Sequence, residues 1–291
     1  MIRRRWWRAA VTAGLLAGCA GGSAATKAAT PSPEKSKPGA PSNVATPGGL
    51  VYRPAPASGY KLERHDSLTL QYPGGAVQKQ VRDRVGFLHV TVGGTAGAAS
   101  YPVSIVLDSL QASENGLPVD SAALARGTRW AGTLGPDGTL SQLQPDRGGT
   151  LSDELSGRLR LLFPRLPAGG VREGMEWTDS SEYKLVADAF PGTERQVTTY
   201  RASASSGQKK GVTLESSGSY ARSGVRQQAD QSLEMRATGE RHGQHRIGSD
   251  GVVISAQGND SGDMTITVPA VGQTVPVKQS GSYSITPVPS R

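Results

Sequence analysis

Cys19 is the only cysteine among 291 residues, and its thiol is the one side chain here suited equally to nucleophilic attack, metal ligation and acylation. The other residues with chemical reach are few. Ser-x-x-Lys occurrences include Ser32 to Lys35, Ser181 to Lys184 and Ser206 to Lys209. That spacing works on a helix, where the lysine returns beside the serine. On a strand, the expected setting of Ser181, residues three apart point to opposite faces, so none of the three is read as a catalytic pair. Of His65, His89, His242 and His245, only His242-Gly-Gln-His245 could offer two imidazoles to a metal. No carboxylate stands at ligand spacing, and a solvent-facing pair beside Arg241 and Arg246 is the expectation.

Gly258 to Asp263, "GNDSGD", is oxygen-rich enough to hold calcium loosely, but inter-strand loops share that composition without any metal. It is read as a loop. The closest carboxylate pairs, Glu173 with Glu176 and Asp153 with Glu154, suit surface and helix-terminus roles. There is no Gly-x-Ser-x-Gly elbow, His-Glu-x-x-His site, phosphate-cradling loop or EF-hand. The sequence thus nominates no catalytic, cofactor-binding or metal-ligating residue, and a non-enzymatic role is the leading expectation.

Cys19 sits in a layout of its own. Arg3, Arg4, Arg5 and Arg8 precede the short apolar run Ala9 to Ala17, and small residues surround the cysteine. This is the order of an export leader, and a run of about nine apolar residues is far below the roughly 20 that a membrane-spanning helix needs. Leu16-Ala17-Gly18-Cys19 resembles the lipobox of bacterial lipoprotein precursors. The resemblance implies cleavage between Gly18 and Cys19, a diacylglyceryl group on the Cys19 sulfur and acylation of the new amino terminus. It places the chain in the cell envelope, membrane-anchored. Ala20, where lipoproteins kept at the inner membrane often carry Asp, points to the outer membrane if the cell has two. Arg4-Arg5 also raises a twin-arginine route, which Trp6-Trp7-Arg8 fits poorly, and the route of export stays open. With its thiol acylated, the mature chain has neither a disulfide nor a free cysteine, so its domain must rest on a hydrophobic core.

Residues Ala20 to Gly59 are mostly Ala, Gly, Ser, Thr and Pro. Such a composition cannot offset its ordering entropy, so residues 19–59 are read as a lipidated, disordered tether reaching about 35 Å as a coil. The net charge of +8 also divides unevenly. Four leader arginines, and a net three from Lys27, Lys35, Lys37 and Arg53 against Glu34, leave +1 for Tyr60 to Arg291. A near-neutral domain without a basic cluster is not a nucleic-acid binder. The tether lysines serve either anionic lipid head groups or plain solubility.

From Tyr60 to Arg291 the pattern has period two. "SLTLQY", "VGFLHVTV", "YPVSIVL", "RQVTTYRASA", "GVTLESSGSY", "GVVISA" and "DMTITVPA" alternate, with turn residues between them. Asp137-Gly138 and Asp250-Gly251 mark two tight hairpins. Leu134 to Leu140 with Gln144 aligns onto Ile247 to Val253 with Gln257 at a constant offset of 113, which also carries Asp66-Ser67 onto Asp179-Ser180. This suggests two related halves, although hairpin chemistry alone favours the same residues. One helix is predicted near 151–163, with Leu151, Leu155, Leu159, Leu162 and Phe163 on one face, Thr150 or Ser152 as its cap, and Pro164 and Pro167 after it.

The fold expected is mainly β, a large antiparallel curved sheet or half-barrel with that helix packed on it. Pro167, Val171, Gly174 and Trp177 in "PAGGVREGMEW" have a spacing similar to one in β-rich envelope lipoproteins of unknown function, and no site residue is implied by it. Half-barrel lipoproteins that carry acyl chains or other lipoproteins resemble this architecture. Three functions remain open: a non-catalytic binding or structural module, a carrier of lipids or other hydrophobic ligands, and a hydrolase with a dispersed site. The partners expected are the membrane through Cys19, and a hydrophobic ligand or envelope protein.

Overall fold

In the computed structural model the residues described are 49–185, 190–205, 210–228 and 231–289. The expected leader and most of the expected tether, including Gly18 and Cys19, lie outside them. Twelve strands form one open antiparallel sheet. In chain order they are β1 (Ala55–Gln71), β2 (Val77–Val92), β3 (Tyr101–Glu114), β4 (Leu117–Pro118), β5 (Arg129–Leu134), β6 (Leu140–Pro145), β7 (Glu176–Leu185), β8 (Gly192–Ala204), β9 (Gly211–Gln228), β10 (Gln231–Gly248), β11 (Val253–Val268) and β12 (Gln273–Val288). The spatial order is β6-β5-β3-β2-β1-β12-β11-β10-β9-β8-β7, with β4 hung on β3. The first and last strands therefore meet at the centre, and the middle of the chain holds both edges.

That topology assigns the helix its place. The chain leaves one edge at β6 and re-enters at the opposite edge as β7, so the connection must cross a face of the sheet. The crossing is made by α2 (Thr150–Arg158) and a 3-10 turn, Leu159–Leu162; a single-turn helix, α1 (Ala122–Ala125), precedes it. All five predicted apolar residues from Leu151 to Phe163 are buried. They join Leu62, Leu88, Ile105, Leu107, Trp130 and Leu134 from one half of the sheet, and Ala202, Leu214, Ile247 and Ile285 from the other, in one cluster. Residues so distant in strand order share a core because the sheet curls around the crossover, whose side chains fill its inner face. A smaller cluster of Phe190, Met235 and Ala237 closes the far end. The predicted cap differs: Gly149 holds the N-cap position without a side-chain bond, and the Ser152 hydroxyl instead donates to the Gly149 carbonyl at 2.8 Å.

The folded unit also starts earlier than the composition indicated. Leu50 forms a bridge with Val171, and Val51 and Tyr52 are buried. Tyr52 is fixed by three contacts: its N–H donates to Pro136 O at 2.9 Å, its hydroxyl to Pro164 O at 3.0 Å, and its ring meets Phe163 edge-on. A tether ending at residue 59 is thus corrected, since three apolar residues between glycine and proline have no period to reveal them.

The seven predicted runs fall on β1, β2, β3, β8, β9 and β11, the last containing two of them. Both Asp-Gly hairpins form, and they are alike. Gly138 and Gly251 have φ of +81° and +79°, and Gly135 and Gly248 accept their N–H at 2.9 Å in each case. Asp137 accepts the Thr139 N–H at 2.9 Å and Asp250 the Val252 N–H at 3.0 Å. The flanking pairs, Leu134 with Leu140 and Ile247 with Val253, keep the offset of 113. Strand order repeats too, with β1, β2, β3, β5 and β6 followed by β7 to β11 in the same sense. Register does not repeat throughout: Tyr60 pairs with Leu88, but Arg201 pairs with Glu176 rather than Glu173.

Candidate functional site

Strand alternation sends every second residue to the inner face, and across the centre of this sheet those residues are charged. Arg64 and Asp66 of β1, Arg82 and Arg84 of β2, Glu114 of β3, Asp260 of β11 and Arg241 of β10 form a belt between the two apolar clusters. α2 adds Glu154 and Arg158 from its polar side. Arg64 Nη1 lies 2.6 Å from Asp260, and its Nε donates to Asp66 at 2.7 Å. Asp66 also accepts from Arg158 at 3.2 Å. Arg84 donates to Glu114 at 3.2 Å and lies 3.6 Å from Glu154. Arg64 and Arg84 are directly opposite one another, and these like charges coexist because each has its own carboxylates.

Further along the belt, Arg241 donates to Glu194 at 2.6 Å and to Gln196 at 2.9 Å, with its guanidinium 4.4 Å above the Tyr220 ring. Tyr220 lies across Gly239 and Gly262, where any Cβ would collide with its phenol, and its hydroxyl accepts from Gln279. The glycines are therefore a floor for the aromatic ring.

Electrostatics keep Asp66 and Arg64 charged. Burial alone would raise the Asp66 carboxyl, but Arg158 and Arg64 outweigh it and hold it below the usual range. Burial opposes the charge of Arg64, and bonds to Asp260 and Asp66 reverse that, so it stays protonated. A permanently anionic aspartate and a permanently cationic arginine cannot exchange protons near neutral pH. The pair of Arg64 and Asp66 therefore orients and cross-links strands rather than passing protons.

Most of the residues weighed in the sequence are dispersed. His242 and His245, taken as a solvent-facing pair, occupy β10 three apart and point to opposite faces. His242 is exposed, 3.9 Å from Glu240, whereas His245 is buried inside with Nε2 2.9 Å from Leu161 O. The expectation fails for His245 because odd positions of β10 face the crossover. "GNDSGD" is not a loop but the middle of β11. Its oxygens are split between the faces, with Asp260 on Arg64 and Asp263 on Lys278. Ser181 faces inward, bonded to Asp179 at 2.9 Å, and Lys184 points outward. Ser32, Lys35, Ser206 and Lys209 lie outside the described residues. Glu176 pairs with Arg201 at 3.0 Å on the surface, and Glu173 is exposed in the preceding turn. Trp177 stacks on Tyr200 with centroids 5.1 Å apart, and its Nε1 donates to Arg165 O. Among the described residues no three His, Cys, Asp or Glu side chains gather to hold a metal.

Two pairings escaped notice in the sequence. His65 Nδ1 lies 2.6 Å from Asp83, and His89 Nδ1 bonds to Asp108, both on the outer face. Only the register of β1 on β2 sets His65 opposite Asp83. Ser113 completes a cluster with the wrong order for hydrolysis, since its hydroxyl donates to Asp83 at 3.4 Å rather than to the imidazole. The outer face also carries an open depression of about 650 Å³ lined by Arg195, Val197, Ser219, Ala221, Glu240 and Asp263. No family model matches the chain, and no curated protein matches it.

His245 makes one consequence measurable. Burial pushes its pKa down to about 4 despite the bond to Leu161 O, while an unfolded chain restores a value near 6.5. Between these values the unfolded state binds the extra proton, so stability is complete above about pH 6.5 and falls as pH drops towards 4, by on the order of 3 kcal/mol. Urea midpoints followed from pH 7 to pH 4 should show this decline, and His245→Gln should flatten it. An unchanged slope in the variant would assign the decline to other groups.

Proposed function

We propose that the chain is a lipid-anchored lipoprotein of the cell envelope, with Cys19 as the lipidated residue and residues 49–291 as a non-catalytic binding or structural module. The anchoring rests on Leu16-Ala17-Gly18-Cys19 behind its arginine-rich leader. The observation that carries the non-catalytic reading is the fate of the reactive side chains. Imidazoles, hydroxyls and carboxylates are distributed over both faces, and the charged groups that do converge neutralise one another inside the sheet.

The carrier reading fits the geometry less well. A hydrophobic cargo would take the inner face beneath the crossover, and Leu155, Leu159 and Leu162 already occupy that volume. Cargo entry would require the crossover to leave. Mass spectrometry of lipids extracted from the purified protein separates the two readings, because a stoichiometric bound lipid would favour the carrier.

Anchoring has a direct test. In cells fed a labelled fatty acid, the wild-type chain should acquire label and partition with membranes, and Cys19→Ser should do neither. Retention of label by the serine variant would overturn the assignment.

A further inference from the structure

An open sheet leaves two edges, and they differ in how they are finished. β6 is six residues long, its pairing with β5 slips between Ala131 and Thr133, Gln142 has φ of +55°, and Pro145 ends it. These are the devices by which natural edges avoid pairing. β7 is finished differently: Glu176–Leu185 is a regular ten-residue alternation without proline, glycine or register shift, and its protection is limited to charges, among them the inward Asp179 and the exposed Lys184.

The hydrogen-bonding phase of β7 is also determined. Ala202 N–H donates to Met175 O at 2.8 Å, and Val225 N–H donates to Pro191 O at 2.9 Å. Even-numbered residues of β8 therefore bond towards β7, and odd-numbered ones towards β9. It follows that Trp177, Asp179, Ser181 and Tyr183 direct their backbone groups to β8, while Glu176, Thr178, Ser180, Glu182 and Lys184 direct theirs outward. The side chains of those five residues are exposed.

We propose that β7 pairs antiparallel with β7 of a second copy of this chain, about a twofold axis through Ser180. Outward residues must meet outward residues, which limits the register to even pairings. The one centred on Ser180 uses every outward amide and carbonyl from Glu176 to Lys184. It also sets Glu176 opposite Lys184 twice over on the outer face, and Trp177 opposite Tyr183 on the inner face. Ion pairs and aromatic pairs at directly opposed positions are the stabilising cross-strand combinations. The charge order of the strand, acidic at its start and basic at its end, is thus self-complementary in that register, as an isologous interface requires.

Sedimentation of the full chain carrying Cys19→Ser should show a concentration-dependent monomer–dimer equilibrium. Lys184→Glu should weaken dimerisation roughly tenfold or more, since both ion pairs become repulsive. Glu176→Lys combined with Lys184→Glu should restore it. Lys184 is exposed, so the circular dichroism and urea midpoint of the monomer should not change. In the same background Ser180→Cys should form a disulfide-linked dimer under mild oxidation, as opposed bonded residues lie about 5.5 Å apart at Cα. A chain that remains monomeric at every attainable concentration and forms no Ser180→Cys crosslink would overturn the proposal. Crosslinking through Thr178→Cys alone, or to a different protein in membranes, would overturn it equally by establishing another register or another occupant.

Discussion

Arg64→Met should destabilise the fold by about 3–5 kcal/mol, the cost of removing one member of a buried ionic group. Arg64 exposes only 7% of its side chain, and Asp66 and Asp260 expose 14% and 15%. Methionine fills most of the volume, so the loss measures charge and not a cavity. Asp66 retains Arg158, whereas Asp260 is left with Arg241 beside it but no bonded cation. The double variant Arg64→Met with Asp260→Leu should recover much of the loss, because removing both charges also removes the desolvation cost that each imposed. By contrast Arg195→Ala, which breaks a surface pair with Glu182 exposed by 76% and 51%, should change stability by about 0.5 kcal/mol or less. Urea midpoints of the three variants decide this. A loss below about 1 kcal/mol for Arg64→Met would mean that water reaches the belt and that its charges are independently solvated.

Trp130→Ala should cost a comparable amount, about 3–5 kcal/mol, for a different reason. Trp130 on β5 has no exposed surface, and its Nε1 donates to Ser156 Oγ at 2.7 Å. One side chain therefore both fills the core and fastens α2 across the sheet. Ser156 has a second bond, to Ser152 O at 2.8 Å, so losing the indole does not leave its hydroxyl unpaired. Trp130→Phe keeps most of the apolar volume and loses the bond, and should cost about 1–2 kcal/mol. If the phenylalanine and alanine variants were equally destabilised, fastening rather than packing would be the dominant role. A near-neutral alanine variant would be incompatible with α2 seated as described.

Local rules made much of this architecture legible. The alternation in "VGFLHVTV" or "YPVSIVL" survives because those strands bury branched residues on one face and meet solvent on the other. The Asp-Gly turns are legible because a glycine at positive φ and an aspartate bonding two residues ahead are needed at those corners whatever the rest of the fold does. The crossover helix was visible for a similar reason, since its leucines repeat with the helical period. By contrast β10 was missed: its inner row runs Met235, Ala237, Gly239, Arg241, Gly243, His245 and Ile247, so its middle is glycine and charge. β12 was hidden behind Pro276, Gly281 and Pro287, which ordinarily argue against a central strand. "GNDSGD" has loop composition and strand structure because its glycines lie beneath Tyr220 and Tyr283 and its inner aspartate is neutralised by Arg64.

The sequence by itself determined the antiparallel β class, the two hairpin corners and the single crossover helix. Each is written in residues close along the chain, where conformational preference acts without tertiary help. Only the tertiary structure decided that residues 50–52 belong to the core, that His242 and His245 face apart, that Arg64, Asp66, Asp260 and Arg158 meet, and that β7 is the long, regular edge. Those outcomes depend on strand register and on which strands become neighbours. A pairing between positions nearly two hundred residues apart, such as Arg64 with Asp260, leaves no periodic trace in either segment. It exists because the first and last strands close at the centre of the sheet.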